Sequence, residues 1–308
     1  MRPLPPIDAL QRVVDVALAE DLGAVGDITT DSVIPSGTLI EAEIRSRQAG
    51  RIAGVEAIAI ALAKFPQPAN VSIVAPDGSE VAPGGSIARI SGSARTVLTA
   101  ERTMLNILGR LSGIATATAT VVRRVAGTRA IIKDTRKTTP GLRPLERYAV
   151  AVGGGVNHRS GLYDAVLIKD NHVGIAGSVT EAVERTRARL GAATLVQVEV
   201  ETMDQLHEAL HCHVDAVLLD NMSPDELRLA VTLVNGRCHT EASGGITLTN
   251  VQEVAMTGVD AISLGWLTHS AQLLDLGLDL IHGDAKSGLY ELKPSCSRSA
   301  PLAEAKGT

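Results

Sequence analysis

The chain has 308 residues, 45% of them hydrophobic and 20% charged, with a formal net charge of −5. That is ample length to bury a core, and the sign of the charge gives no global attraction to polyanions, so any anion affinity must be local. One Trp, three Tyr and one Phe leave too few rings for base stacking, and no run approaches the ~18 apolar residues of a membrane span.

Neither a nucleic acid nor a membrane is therefore expected as a partner. Cys212, Cys238 and Cys296 are odd in number and far apart. They form neither a CxxC pair nor a disulfide framework, which suits a reducing cytoplasm. The opening MRPLPPIDAL has no apolar signal-peptide core. A cytoplasmic location is the expectation.

Residues 7–20 place Ile7, Leu10, Val13, Val14, Ala17 and Leu18 at helical spacing. A polar turn follows, Glu20 to Asp31, and then strands at 39–47 and 51–55, a short helix at 56–64, and strands at 71–75 and 86–91. Asp77-Gly78 and Pro83-Gly84-Gly85 punctuate the last two as turns. This irregular mixture reads as a small α+β unit. A long helix is expected from Thr96 to about Val125.

From residue 129 the pattern becomes regular alternation. Strands are expected at 129–133, 165–169, 194–200, 215–219, 238–242 and 260–264, each followed by a helical segment. Ser178/Glu181, Thr202/Gln205 and Ser223/Glu226 have the spacing of capping boxes at three helix starts. Six strand-helix units imply a parallel sheet, doubly wound or closed into a barrel. The barrel is favoured, because no GxGxxG opens the first unit and charge ends almost every strand. A final helix is expected at about 270–281, before a polar segment low in large apolar groups.

Chemistry collects at the ends of these strands. Arg136, Lys137, His158, Arg159 and Lys169 form a cationic group, with Arg102 on the long helix as a remote addition. So many cations on one rim repel unless anions bind there, which implies a dicarboxylate, a phosphate ester or both. The bland alternative pairs them with Asp134, Glu146 and Asp170. Arg102 reads equally as part of a solvated face or as an arginine offered to a site or a partner subunit.

Glu199 and Glu201, two apart in VQVEVE, share one strand face, and Asp220 ends the next strand. Carboxylates without a Cys or multiple-His set suggest a hard ion such as Mg²⁺, held partly through substrate phosphates. Ser243-Gly244-Gly245 and Ser263-Leu264-Gly265 follow successive strands and resemble paired phosphate-binding loops, with His269 one turn later. His172 and the histidines at 207, 211 and 213 read as surface residues, and the tyrosines and Trp266 as packing.

The motifs EDLGAVGDITTD, ERTMLNILGRLSGIAT, DTRKTTPGLRPLERYAV, GGGVNHR, LIKDNH, VEVE, LLDN, EASGGI and GWLTHS resemble, in this order, those of the quinolinate phosphoribosyltransferase family. That resemblance covers about residues 20–270. It implies an α/β fold with two parts: an N-terminal α/β sandwich domain (1–110, joined by a C-terminal helix at about 268–285) and an incomplete parallel α/β barrel (111–267). Residues 286–308 are expected to be a disordered tail.

The implied reaction joins quinolinate to phosphoribosyl pyrophosphate with Mg²⁺, giving nicotinate mononucleotide, CO₂ and pyrophosphate, in at least a homodimer. Arg102 (from the neighbouring subunit), Thr135, Arg136, His158, Arg159 and Lys169 would hold quinolinate. Lys137, Glu201 and Asp220 would be catalytic, with Glu201 and Asp220 near the metal. Ser243, Gly244, Gly245, Gly265 and His269 would bind the 5′-phosphate.

Overall fold

In the computed structural model, residues 4–67 and 69–281 are described. The expected tail at 286–308 lies outside them. The first half holds α1 (Ile7–Leu22), α2 (Ile28–Val33), β1 (Leu39–Ser46), β2 (Gly50–Arg51), α3 (Glu56–Leu62), β3 (Asn70–Ile73), β4 (Glu80–Val81) and β5 (Ser86–Ser93). The long helix α4 (Ala94–Arg124) leads into β6 (Ile131–Lys133), α5 (Arg143–Val152), β7 (Val166–Ile168), α6 (Asp170–Ala176), α7 (Val179–Leu190) and β8 (Val196–Val200). The rest is α8 (Met203–His211), β9 (Ala216–Asp220), α9 (Pro224–Val234), β10 (His239–Ser243), α10 (Val251–Met256), β11 (Ala261–Ser263), α11 (Trp266–His269) and β12 (Leu276–Leu280).

The parallel sheet runs β6-β11-β10-β9-β8-β7. Each strand after β7 lies beside its successor, and β6, the first, pairs with β11, the last. That progression is an incomplete barrel, since a doubly wound sheet would reverse its order at a switch point. A second sheet, β12-β1-β5-β3, is antiparallel in every pairing and belongs to the N-terminal half.

Two apolar clusters fill the halves, one centred on Leu10, Ile44, Ile58, Met104 and Leu108, the other on Val196, Val198, Val217 and Ile262. Helix α4 belongs to both, giving Val97 to Ala115 to the first and Val121 to the second. By length and composition α4 could cross a membrane, but 61% of its most apolar 18-residue window is buried. It serves as the spine through the boundary expected at 110/111.

Two expectations fail here for local reasons. The strand expected at 51–55 shortens to two residues, because the Gly54 and Val55 N–H groups donate to the Asp77 carboxylate at 2.8 and 3.0 Å. The helix expected at 270–281 is instead β12, paired antiparallel with β1 from Ala42↔Leu280 to Ser46↔Leu276. Leu276, Leu278 and Leu280 alternate with Gly277 and Asp279, so the same leucines suit a strand, and the open edge of β1 supplies the partner. The C-terminal segment does return to the first half, but as a strand.

Helix α5 is docked by a buried ion pair. Glu146 is fully buried and accepts Arg110 Nη2 at 2.8 Å and the Thr139 N–H at 3.0 Å. Arg110 also donates to the Thr268 and Ala271 carbonyls, tying α4 to α5, to the loop after β6 and to α11. Removing one member leaves the other charge buried and unpaired, so Glu146→Ala is expected to cost about 3 kcal/mol in urea unfolding.

Candidate active site

Every strand of the barrel runs the same way, so its C-terminal ends share one rim. Lys133 ends β6, Asp220 ends β9, Ser243 ends β10 and Ser263 ends β11. A cavity of about 190 Å³ opens there. Of the residues singled out from the sequence, Thr135, Arg136, Lys137, His158, Arg159, Lys169, Glu199, Asp220 and Ser243 line it. Ser263, from the second glycine loop, lines it too, and Leu167 and Leu218 complete the wall.

Register explains the carboxylates. Residues paired across parallel strands point to the same side, and Glu199, Leu218 and Glu241 form one row across β8, β9 and β10. The next row would set Glu201 beside Asp220. The strand stops at Val200 instead, because the Glu201 N–H donates to Gln205 Oε1 at 2.8 Å in the cap of α8. Glu201 is exposed and does not line the cavity. The two glutamates read as sharing one strand face are thus separated, and Glu199 is the one that lines the cavity. Its Oε2 accepts Lys169 Nζ at 2.5 Å.

Three of the five cations face a space rather than partners. Among the described residues Arg136, Lys137 and Arg159 make no ion pair; of the bland alternatives, Glu146 pairs with Arg110, Asp134 lies 3.9 Å from Arg147, and Asp170 makes no ion pair. Arg136 Nε and His158 Nε2 are buried without a hydrogen-bond partner. Arg159 is held below the usual guanidinium range, first by burial and then by the charge of Arg136. Arg143 and Arg147 of α5 were missed in the sequence. They pin the rim by donating to the Arg136 carbonyl at 3.4 Å and the Arg159 carbonyl at 2.9 Å.

His158 Nδ1 accepts the Arg159 N–H at 2.7 Å, which assigns the ring proton to Nε2. Nε2 lies 3.3 Å from Oε1 of Glu241, off line for a hydrogen bond. Glu241 is fully buried below the cavity, where Lys133 Nζ at 2.8 Å, Gln197 Nε2 at 3.1 Å and Ser263 Oγ donate to it. Burial works to raise its pKa, but His158 and Lys133 outweigh that and hold it below the usual carboxylate range.

The glycines of these loops lie beside this cavity without lining it. Gly244 has φ +84°, and a Cβ there would come within 2.7 Å of the Asn221 N. Only glycine fits that turn. A Cβ on Gly265 would lie 2.8 Å from Lys137 Cδ and 3.4 Å from His269 Cδ2, so Gly265 leaves room for both side chains beside it. Gly245 also has positive φ, and His269 is exposed. Arg102 is exposed on α4 and lines no part of the cavity.

His172, read as a surface residue, accepts the Lys169 N–H through Nδ1 at 2.9 Å and holds the start of α6. Ser178 caps α7 as expected, but the box is not reciprocal, since Glu181 turns to Arg185 at 2.8 Å. The boxes at Thr202 and Ser223 are complete. Trp266 packs, its Nε1 donating to the Ile246 carbonyl at 3.0 Å.

For a metal, the cavity offers Glu199 and Asp220. Among the described residues no three His, Cys, Asp or Glu side chains gather to hold an ion. That donor set fits a hard cation held mainly through ligand phosphates and water, not an all-protein cage.

Residues 27–112 match the family described as the N-terminal domain of quinolinate phosphoribosyl transferase, and residues 114–279 match its C-terminal domain. The chain is 42% identical over 271 residues to a probable nicotinate-nucleotide pyrophosphorylase (carboxylating) of Bacillus subtilis, covering 88% of this chain and 93% of the relative. It is 43% identical over 278 residues to the nicotinate-nucleotide pyrophosphorylase of Mycobacterium leprae, covering 89% and 98%. The solved nicotinate-nucleotide pyrophosphorylase of Francisella tularensis superposes with a TM-score of 0.85 at 35% identity, covering 91% of this chain and 98% of that one.

Proposed function

We propose how the pocket is used on the premise that this chain belongs to the quinolinate phosphoribosyltransferase family. The chain is a phosphoribosyltransferase of NAD biosynthesis. It transfers the phosphoribosyl group from phosphoribosyl pyrophosphate to the ring nitrogen of quinolinate, with decarboxylation to nicotinate mononucleotide. One observation carries the assignment of roles: a small cavity lined together by Arg136, His158, Arg159 and Lys169 and by the carboxylates of Glu199 and Asp220.

The two carboxylates of quinolinate answer the cations, which otherwise repel one another, and accept from the buried donors on Arg136 and His158. Thr135 Oγ1, which accepts the Lys137 N–H at 3.0 Å, shapes the same wall. The reaction breaks the bond between ribose C1′ and the pyrophosphate oxygen and forms the bond from C1′ to the pyridine nitrogen. Positive charge grows on the ribose as this happens, and Glu199 and Asp220 are the nearby fixed negative charges that stabilise it.

Lys137 reaches past Gly265 towards the leaving group, and Ser243, Gly244, Gly245 and His269 receive the 5′-phosphate. Asp220 and Glu199 would be the residues to hold Mg²⁺, which when bound would supply positive charge to neutralise the pyrophosphate. Once ribosylated, the ring is cationic and takes up the electron pair left when CO₂ departs from C2, and a proton then replaces the carboxylate. No covalent nucleophile on the protein is required; position and charge suffice.

The enzyme works as a homodimer in which Arg102 of one subunit completes the quinolinate pocket of the other. Its exposure on α4, away from its own cavity, is what supports this reading. Incubation with quinolinate, phosphoribosyl pyrophosphate and Mg²⁺ is expected to yield nicotinate mononucleotide, followed by chromatography. Turnover of nicotinate in place of quinolinate would overturn the assignment.

A further inference from the structure

Asp134 opens the Asp134-Thr135-Arg136-Lys137 segment, yet it lines no part of the cavity and is fully buried. Its Oδ1 accepts the His158 N–H at 2.7 Å. With the Asn157 amide oriented to use both its donors, that nitrogen lies 2.6 Å from Asp134 Oδ2 and 3.0 Å from the Arg147 carbonyl. Arg147 Nη1 is 3.9 Å from Asp134 Oδ1 and 2.9 Å from the Arg159 carbonyl. Backbone bonds from Asp134 N to Val156 O and from Val156 N to Ile132 O, 3.3 and 2.8 Å long, make the same join.

This carboxylate therefore clips the loop carrying Arg136 to the segment carrying His158 and Arg159. Those two segments present cations that repel each other. A buried anion behind them, accepting N–H groups from one segment while anchored on the other, fixes their separation. The cost is visible in the carboxyl group itself, pushed up to about 6 by burial against the opposing His158 N–H. The charged and titratable groups facing it are Arg147 from α5, His158 from the adjoining segment and Lys133 from its own strand.

We propose that Asp134, together with Asn157, is a positioning residue that sets the spacing of Arg136 against His158 and Arg159, and so the affinity for the dicarboxylate substrate. This rests on the quinolinate reading above. A raised carboxyl pKa means the folded state holds its proton more tightly than the unfolded chain. Stability is then lost as pH climbs from the unfolded value of 3.8 through about 6. Asp134→Asn escapes that loss, whereas a residue serving only the fold would be missed at every pH.

The test is steady-state kinetics of Asp134→Asn and Asn157→Ala with each substrate varied in turn, beside thermal unfolding across that pH range. For Asp134→Asn, KM for quinolinate is expected to rise about tenfold or more while KM for phosphoribosyl pyrophosphate stays within about twofold. Asn157→Ala should shift the same constant in the same direction by less. The Tm of Asp134→Asn relative to the parent should climb with pH. An unchanged KM for quinolinate in both variants overturns the proposal, as do parallel rises for both substrates with a Tm lowered equally at every pH. A parent enzyme that fails to turn over quinolinate is a different result and sinks the functional reading itself.

Discussion

Glu199→Gln lowers kcat by about a hundredfold to a thousandfold, while Glu201→Gln leaves it within about twofold; that contrast is the expected result of a paired kinetic experiment. The two residues are chemically identical and two positions apart, so only their surroundings separate them. Glu199 lines the cavity on β8, one row below Asp220, and accepts Lys169 Nζ at 2.5 Å. Glutamine keeps the shape and most of the hydrogen bonding but removes the charge opposite the developing cation on ribose. Its amide oxygen can still accept from Lys169 Nζ, so KM for quinolinate should change less than kcat. Glu201 is exposed beyond the end of β8 and contributes its backbone N–H to a helix cap, which the substitution leaves in place. A large effect at Glu201 with none at Glu199 would reverse the assignment of the catalytic carboxylate.

Arg102→Ala and Lys169→Ala chains are each expected to lose at least about a hundredfold in activity, since on the proposed reading each deletes a cation that faces a substrate carboxylate. Mixed after reversible dissociation, they should recover about a quarter of parental activity. In a twofold dimer with shared sites, random mixing makes half the dimers heterodimers, and each of those holds one intact site. That site combines Lys169 of the Arg102→Ala chain with Arg102 of the Lys169→Ala chain. No recovery, with mixed dimers verified by mass spectrometry, would mean that Arg102 does not complete the neighbouring pocket. Full activity of Arg102→Ala alone would remove it from the site altogether.

The alternation of apolar strands and capped helices after residue 129 is enough to place the six barrel strands, each within two residues of its observed ends. It works because parallel strands covered on both faces are rich in apolar residues and the rim that follows them is polar, so most boundaries are written locally; Glu199 and Glu241 are charged exceptions inside β8 and β10. The cationic group was legible for the same reason: strand ends on one side of a parallel sheet converge, and Arg136, His158, Arg159 and Lys169 do line one cavity. Arg143 and Arg147 escaped notice because they act through the carbonyls of other residues, an arrangement that leaves no mark in spacing.

What the sequence by itself determined, then, is a parallel strand-helix architecture, a charged rim and the chemistry that rim attracts. These follow from periodicity and residue type, which act over a few neighbours. The tertiary structure decided where a local pattern admits two outcomes. Leu276, Leu278 and Leu280 suit a helix or a strand until the open edge of β1 takes them. Glu199 and Glu201 are equivalent by period until a cap on α8 ends the strand between them. Asp134 is one more acidic residue in a basic motif until burial and the Asn157 and His158 donors set it behind the cations. In each case the deciding partner lies on another element, where no local period reaches.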